Sequence, residues 1–213
     1  MDRTRGDIET GIEGLEIRPF DIGTASDGEL RAFWAFRMWE WRDVYPEDPE
    51  TPFEQWLEGF RNSTLSREAR FWAIWSADVV RGYALVHVSA AGLDPDGASI
   101  SITIDPVLQR RGLGSRLLAE VTRIAEQEGR RFLRLQTLDR YPAGAAFCEA
   151  IGAVVQSVSH TNRLLLADVD PDVIARWLEL PDDRSEIEIV EWRDGPPDDR
   201  LRDISGFHQE IYD

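Results

Sequence analysis

Residues 14–20, Gly-Leu-Glu-Ile-Arg-Pro-Phe, alternate apolar with polar side chains, the period of a half-buried strand. Ser26 follows with Glu29 three residues on, a pairing in which each side chain satisfies the other residue's free amide at a helix start. Leu30, Phe33, Trp34 and Met38 then recur at helical spacing on one face. The polar, proline-bearing stretch 44–50 breaks that pattern. Thr51, Pro52 and Glu54 next predict the N-cap, first and third positions of a second helix that buries Phe53, Trp56, Leu57 and Phe60. Three strands are predicted over residues 71–76, 81–88 and 99–104, separated by Ala77-Asp78 and by a loop at 92–97. Residues 113–128 place Leu113, Leu117, Leu118, Val121 and Ile124 on one face and stop at Gly129, which predicts an amphipathic helix.

A strand at 132–138, a short helix at 142–151 closed by Gly152, and one or two strands within 154–166 extend the series. Strand, two helices, a three-strand meander, then strand–helix–strand is the order of a mixed α+β fold. Asp170 and Pro171 open a further helix through Trp177. After a polar break at 181–184 the opening pattern returns. Ile187-Glu-Ile-Val-Glu-Trp192 repeats Leu15-Glu-Ile-Arg-Pro-Phe20, and Leu201, Ile204 and Phe207 repeat Leu30, Phe33 and Phe36. One strand and one helix cannot bury a core alone. The expected organisation is therefore a domain over residues 1–178 and the first strand and helix of a second copy over 186–213. The apolar face of that copy is costly to expose, so it is expected to dock on its own domain or on a neighbouring chain, as in a homodimer, with Trp192 largely buried.

Composition narrows the partners. A net charge of −16 repels nucleic-acid phosphates and anionic lipid heads, so neither nucleic acid nor membrane is expected as a partner. No apolar run approaches a bilayer span, and the N-terminus lacks the apolar core of a signal peptide, so a cytoplasmic setting is expected. Cys148 is the single cysteine, and His87, His160 and His208 are scattered, which argues against a disulfide or a metal site. All 24 basic residues are arginine. The acid excess is expected to reflect base composition or a salt-adapted surface before any cationic substrate.

In so acidic a chain the stretch Ile102-Thr-Ile-Asp-Pro106-Val-Leu-Gln109-Arg-Arg-Gly112-Leu-Gly114-Ser115 stands apart. A strand ends, a basic turn follows, and glycines open a long helix. The first amides of a helix have no internal partner and sit at the positive end of its dipole, the physics of an anion site. Gly112 and Gly114 remove side chains that would block a diphosphate, while Gln109, Arg110 and Arg111 supply donors and charge. A dinucleotide fingerprint would need glycine where Leu117 stands, and a Walker loop would need a lysine.

Pro106-x-x-Gln109-x-x-Gly112-x-Gly114 resembles the acetyl-CoA signature of the GNAT acetyltransferases, and over residues 14–166 the inferred element order is similar to theirs. The resemblance implies a mostly antiparallel sheet with helices on both faces and acetyl-CoA as co-substrate, with no metal. It further implies that the amides of Arg111, Gly112, Leu113, Gly114 and Ser115 hold the pyrophosphate. The strand end at Ile104 would pair with the pantetheine arm. The restart at Ile187 and the loop Pro46-Glu-Asp-Pro49 resemble tandem-GNAT proteins.

In many members a tyrosine in Leu-Tyr-x-x-x-Gly-Phe protonates the leaving thiolate. Aligned on Gly152, that position is Cys148, alanine replaces the phenylalanine, and Tyr141 opens the helix. Tyr141 and Cys148 are thus the candidate catalytic groups, with Cys148 as a small buried apolar residue the competing reading. The first two helices and their loop bring Phe33, Trp34, Phe36, Trp39, Trp41 and Trp56 together with Glu40, Asp43, Glu47, Asp48 and Glu50. Trp34, Trp39, Glu40 and Trp41 are the candidate acceptor-binding residues, suited to an organic ammonium; the alternative is that the aromatics are core and the acids solvated. Two functions remain open: an N-acetyltransferase acting on a small-molecule amine by direct attack, or a degenerate domain that binds acyl-CoA without turnover.

Overall fold

The computed structural model describes residues 12–63, 68–88, 95–179, 190–193, 195–201 and 204, which fall into two compact units, one ending at Val154 and one beginning at Val155. In the first, strands β1 (Glu16–Phe20), β2 (Ala69–Ser76), β3 (Val79–His87), β4 (Gly97–Ile104) and β5 (Phe132–Arg134) form one sheet in the order β1-β2-β3-β4-β5. The first three pairings are antiparallel, and β4 with β5 is parallel. Helices α1 (Asp27–Val44) and α2 (Phe53–Asn62) precede β2; α3 (Leu113–Gln127) joins β4 to β5, and α4 (Pro142–Ala150) follows β5.

Alternation along the strands sends neighbouring side chains to opposite faces, and each face acquires its own core. Ile17, Trp72, Ile74, Ala84, Val86, Ala98 and Ile100 pack with Leu113, Leu117, Val121 and Ile124 of α3. On the other side Phe20, Phe71, Ala73, Trp75 and Tyr83 pack with Leu30, Phe33 and Phe36 of α1 and Phe53 of α2. Phe33 is the hub there, its ring 4.6 Å from Phe20 and edge-on to Tyr83 at 5.6 Å. The mixed α+β order is therefore as the pattern predicts, and the helices on both faces are as the resemblance implies.

Local signals hold where they are chemical. Ser26 caps α1 through a full capping box, its hydroxyl accepting from the Glu29 amide while Glu29 accepts from the Ser26 amide. The second helix differs: Pro52 is itself the N-cap and no side chain caps it, because the chain turns helical one residue later than Thr51 suggests. Strand β5 keeps three residues of the predicted seven. Residues 154–166 form no strand, since an apolar pattern describes side chains while a strand also needs a neighbour for its amides.

The second unit contains a 3₁₀ turn, Leu166–Asp168, and helix α5 (Pro171–Leu178), whose N-cap Asp170 accepts from the Asp172 amide at 2.9 Å. At the repeat, residues 187–189 and Phe207 lie outside the described residues. Val190, Glu191 and Trp192 form no strand, and Trp192 is 42% exposed, so the burial expected of it is not found. At the described residues 190–192 the strand-like side-chain pattern comes without a ladder.

Strand β4 places the site. Its pairing to β5 covers Gly97 to Ser99 and stops, which leaves its outer edge from Ile100 to Ile104 without a strand beside it among the described residues. Its inner edge stays bound to β3 as far as Gly82, opposite Ile104. A Cβ on Gly82 would sit 2.8 Å from the Thr103 carbonyl oxygen and 2.9 Å from Ile74 Cδ1. Gly82→Ala is therefore expected to cost about 1–3 kcal/mol in denaturant melts. Gly28→Ala, on α1 with nothing within 4 Å, is expected to be neutral or stabilising in the same assay.

Candidate active site

The turn after β4 is built from the chain's own polar groups. Asp105 donates its amide to the Arg81 carbonyl (2.9 Å), and its carboxylate accepts from the Val107 amide (3.0 Å) and the Arg81 guanidinium (3.1 Å). Buried Leu108 pins the 3₁₀ turn Pro106–Leu108 to the core. The chain then needs two left-handed residues, Arg110 (φ 60°) and Gly112 (φ 80°), before α3 can start. Gly112 is the N-cap and supplies no side-chain cap; the first intrahelical bond runs from the Arg116 amide to the Gly112 carbonyl. The opening amides of α3 thus lack a side-chain cap and face the open space beside Gly112, where a Cβ would meet nothing within 4 Å. Arg110, Arg111 and Ser115 are exposed around this opening, and Leu113, 1% exposed, anchors it from behind.

Two loop residues behave differently from expectation. Gln109 turns back and donates its side-chain amide to the Ile104 carbonyl at 3.1 Å, tying the turn to the strand end. Gly114 is glycine because α4 lies against it: a Cβ there would be 3.3 Å from the Phe147 ring. Close approach of the Phe147 ring is thus a packing demand on that position.

On the opposite face of β4 a second set of groups converges. Ala98, Ile100, Ile102 and Ile104 belong to the α3 core, so Ser99, Ser101 and Thr103 point the other way. Thr103 donates to Glu40 of α1 at 2.7 Å. Tyr83 of β3, 2% exposed, donates to the same carboxylate at 3.2–3.3 Å. Arg37, one turn earlier on α1, pairs with Glu40 and hydrogen-bonds the Tyr83 hydroxyl. Burial pushes the Tyr83 phenol up, so it stays a donor.

Beside this cluster, Tyr141 donates to Asp43 at 2.6 Å, and Arg140 donates to the carbonyls of Asp43 and Val44 at 2.7 and 2.8 Å, closing the C-terminal end of α1. Burial and the Asp43 carboxylate push the Tyr141 phenol up to about 12. Cys148 is half-buried on α4, next to the Phe147 that covers Gly114. Of the acceptor-side expectations, Glu40 lies against the end of β4. Trp39 and Trp41 are 38% and 37% exposed on α1. Trp34 instead ties α1 to the approach of α2 through its indole N–H and the Thr51 carbonyl at 3.0 Å. Phe33 and Phe36 are core, as their stacking requires. Sequence reasoning missed Arg37, Tyr83 and Thr103. The alternating hydroxyls Ser99, Ser101 and Thr103 in an otherwise apolar strand were the available signal.

An uncapped, glycine-opened helix start beside a strand edge with no strand next to it among the described residues is an arrangement that suits a phosphorylated, extended ligand. The family model described as the acetyltransferase (GNAT) family matches residues 30–153, and the chain belongs to that family. Its co-substrate is acetyl-CoA, and the open cradle at Gly112 fits the diphosphate such a ligand carries. Solved structures share the fold at low identity. An aminoglycoside acetyltransferase from an uncultured soil metagenomic sample, in complex with sisomicin, is 14% identical over 71% of this chain and 97% of its own, with a TM-score of 0.53. An integron cassette protein from the mobile metagenome of V. cholerae is 15% identical over 79% of this chain and 100% of its own, TM-score 0.51. Aminoglycoside N-acetyltransferase AAC(6')-Iy in complex with CoA is 17% identical over 76% of this chain and 97% of its own, TM-score 0.50. No curated protein matches the chain.

Gly112→Leu is expected to abolish acetyl-CoA binding in calorimetry while unfolding stays cooperative, because the new side chain fills the cradle and strains φ. The raised Tyr141 pKa also has a stability consequence. The folded state holds this proton more tightly than the unfolded state, so the contribution is complete below the unfolded value of roughly 10. It is lost as pH rises through about 12. Alkaline melts of the wild type should fall more steeply in that window than those of Tyr141→Phe.

Proposed function

We propose that the chain transfers the acetyl group of acetyl-CoA to the amine of a small molecule by direct attack. The observation that carries this is the uncapped start of α3 set against the unpaired edge of β4, with a polar cluster on the far side of the same strand end. The amides of Arg111 to Ser115 hold the diphosphate, and Arg110 and Arg111 supply positive charge in an acidic protein. The edge at Ile104 aligns the arm, and positioning two reactants converts a bimolecular step into an intramolecular one. Acetyl-CoA supplies an activated carbonyl and a good leaving group, so the protein's own work is orientation and proton handling.

Tyr141 is the proposed proton donor to the departing thiolate: its phenol carries a proton at neutral pH and is held by the Asp43 carboxylate at the end of α1. Cys148, the other candidate, lies on the helix that covers the loop. The aminoglycoside acetyltransferases of the same fold, one solved with CoA and one with sisomicin, support an amine acceptor. The repeat at 187–207 supports a further proposal, that residues 186–213 begin a second copy after a domain over 1–178 and mediate contact between chains.

The experiment is a thiol-release assay with acetyl-CoA and a panel of monoamines, polyamines and aminoglycosides. Amine-dependent release accompanied by one acetyl group on the acceptor is the expected result. Release that is independent of any amine would refute transfer.

A further inference from the structure

We infer that Glu40 is the proton acceptor for the attacking amine, an inference that rests on the acetyl-transfer reading above. Strand β4 separates two environments. On the α3 side lie the apolar core and the phosphate cradle; on the α1 side the strand ends in Thr103, and the Glu40 carboxylate lies 2.7 Å from its hydroxyl. Thr103 is the neighbour of Ile104, the last residue of the edge beside which no strand lies among the described residues. A ligand laid along that edge from the cradle therefore passes this carboxylate.

The carboxylate is reached from three elements. Arg37 comes from α1, Tyr83 from β3 and Thr103 from β4, so its orientation is fixed before substrate arrives. Its side chain keeps 23% exposure, so one side stays open to an incoming group. The other ionisable groups facing it are Asp43 on the same helix, and Tyr141 and Arg140 at the start of α4. Each is engaged: Asp43 with Tyr141, and Arg140 with the α1 carbonyls. Asp105, across the strand end, is held by Arg81 and the Val107 amide. His87 pairs with Glu68 and sits opposite Ser99, at the other end of β4. Glu40 is thus the carboxylate hydrogen-bonded to the α1-facing side of the β4 end, and it keeps an open side.

The proton balance follows. The acceptor arrives as an ammonium ion, and one N–H proton passes to Glu40, freeing the nitrogen lone pair. That nitrogen bonds to the carbonyl carbon while the carbon–sulfur bond breaks. The second proton leaves the nitrogen for the thiolate, directly or through Tyr141, giving an amide and free CoA thiol. Glu40 returns its proton to solvent.

The test uses the full chain as wild type, Glu40→Gln, Glu40→Asp and Thr103→Val, with acetyl-CoA affinity from calorimetry and kcat/KM against pH. Acetyl-CoA affinity should be unchanged in all four. Glu40→Gln should lose about 10²-fold or more in kcat/KM together with the acid limb of the profile. Glu40→Asp should restore the limb in part. Thr103→Val removes a donor to the charged carboxylate and should move the limb to higher pH even if Glu40→Gln folds poorly. A wild type that fails to bind acetyl-CoA would overturn the acetyl-transfer reading and this inference with it. Wild-type turnover with an unchanged rate and profile in Glu40→Gln would overturn this inference alone. Binding without turnover of any amine would also overturn it, leaving only the acyl-CoA site.

Discussion

Strand β4 has to satisfy three neighbours at once, and the first unit is arranged around that demand. Its inner edge is held to β3 by an antiparallel ladder from Ser99 opposite His87 to Ile104 opposite Gly82. Its outer edge pairs with β5 for three residues and then has no strand beside it among the described residues. One face feeds the α3 core through Ala98 and Ile100, while the other offers hydroxyls to α1. A free edge exposes unpaired amides and carbonyls, which proteins ordinarily cover or blunt. Here it lies between a helix start with an open cradle and a fixed carboxylate, and an extended ligand is what such an edge accepts.

The charge distribution agrees with that division. The chain as a whole is strongly acidic, yet the turn before α3 carries Arg110 and Arg111, and Arg81 holds Asp105 beneath it. The carboxylates nearest the acceptor side, Glu40 and Asp43, are a turn apart on α1 and are both bound by hydroxyl groups. An anionic donor and a cationic acceptor would thus be drawn to opposite sides of one strand, which limits the wrong orientation as well as favouring the right one.

Legibility from sequence followed the range of the interaction. The capping box at Ser26, the amphipathic face of α3 and the glycine-opened loop are local, and each was read correctly because a few neighbouring residues decide it. The packing at Gly114 was not legible, since Phe147 lies far along the chain and only the packed fold brings it there. The strand expected within 154–166 failed because side-chain alternation cannot say whether a partner is present. Glu40 was singled out as one of many acids near aromatics. Its partners Tyr83 and Thr103, 43 and 63 residues away, could not be paired with it before the sheet register was known. The tail's repeat was legible as a pattern and carried no information about its burial, as Trp192 shows.

The clamp of Arg140 and Tyr141 on the end of α1 joins positions 96 to 98 residues apart. Such a closure is entropically expensive to form and belongs to the late, non-local stage of folding. It also makes two stretches of sequence evolve as one. A change at Asp43 strands the Tyr141 hydroxyl, and a change at Tyr141 strands the Asp43 carboxylate, so the two substitutions are non-additive. Selection for a new acceptor that altered the end of α1 alone would meet that penalty first. A library that varies residues 43 and 141 together therefore samples combinations that single-site variation at either position does not reach.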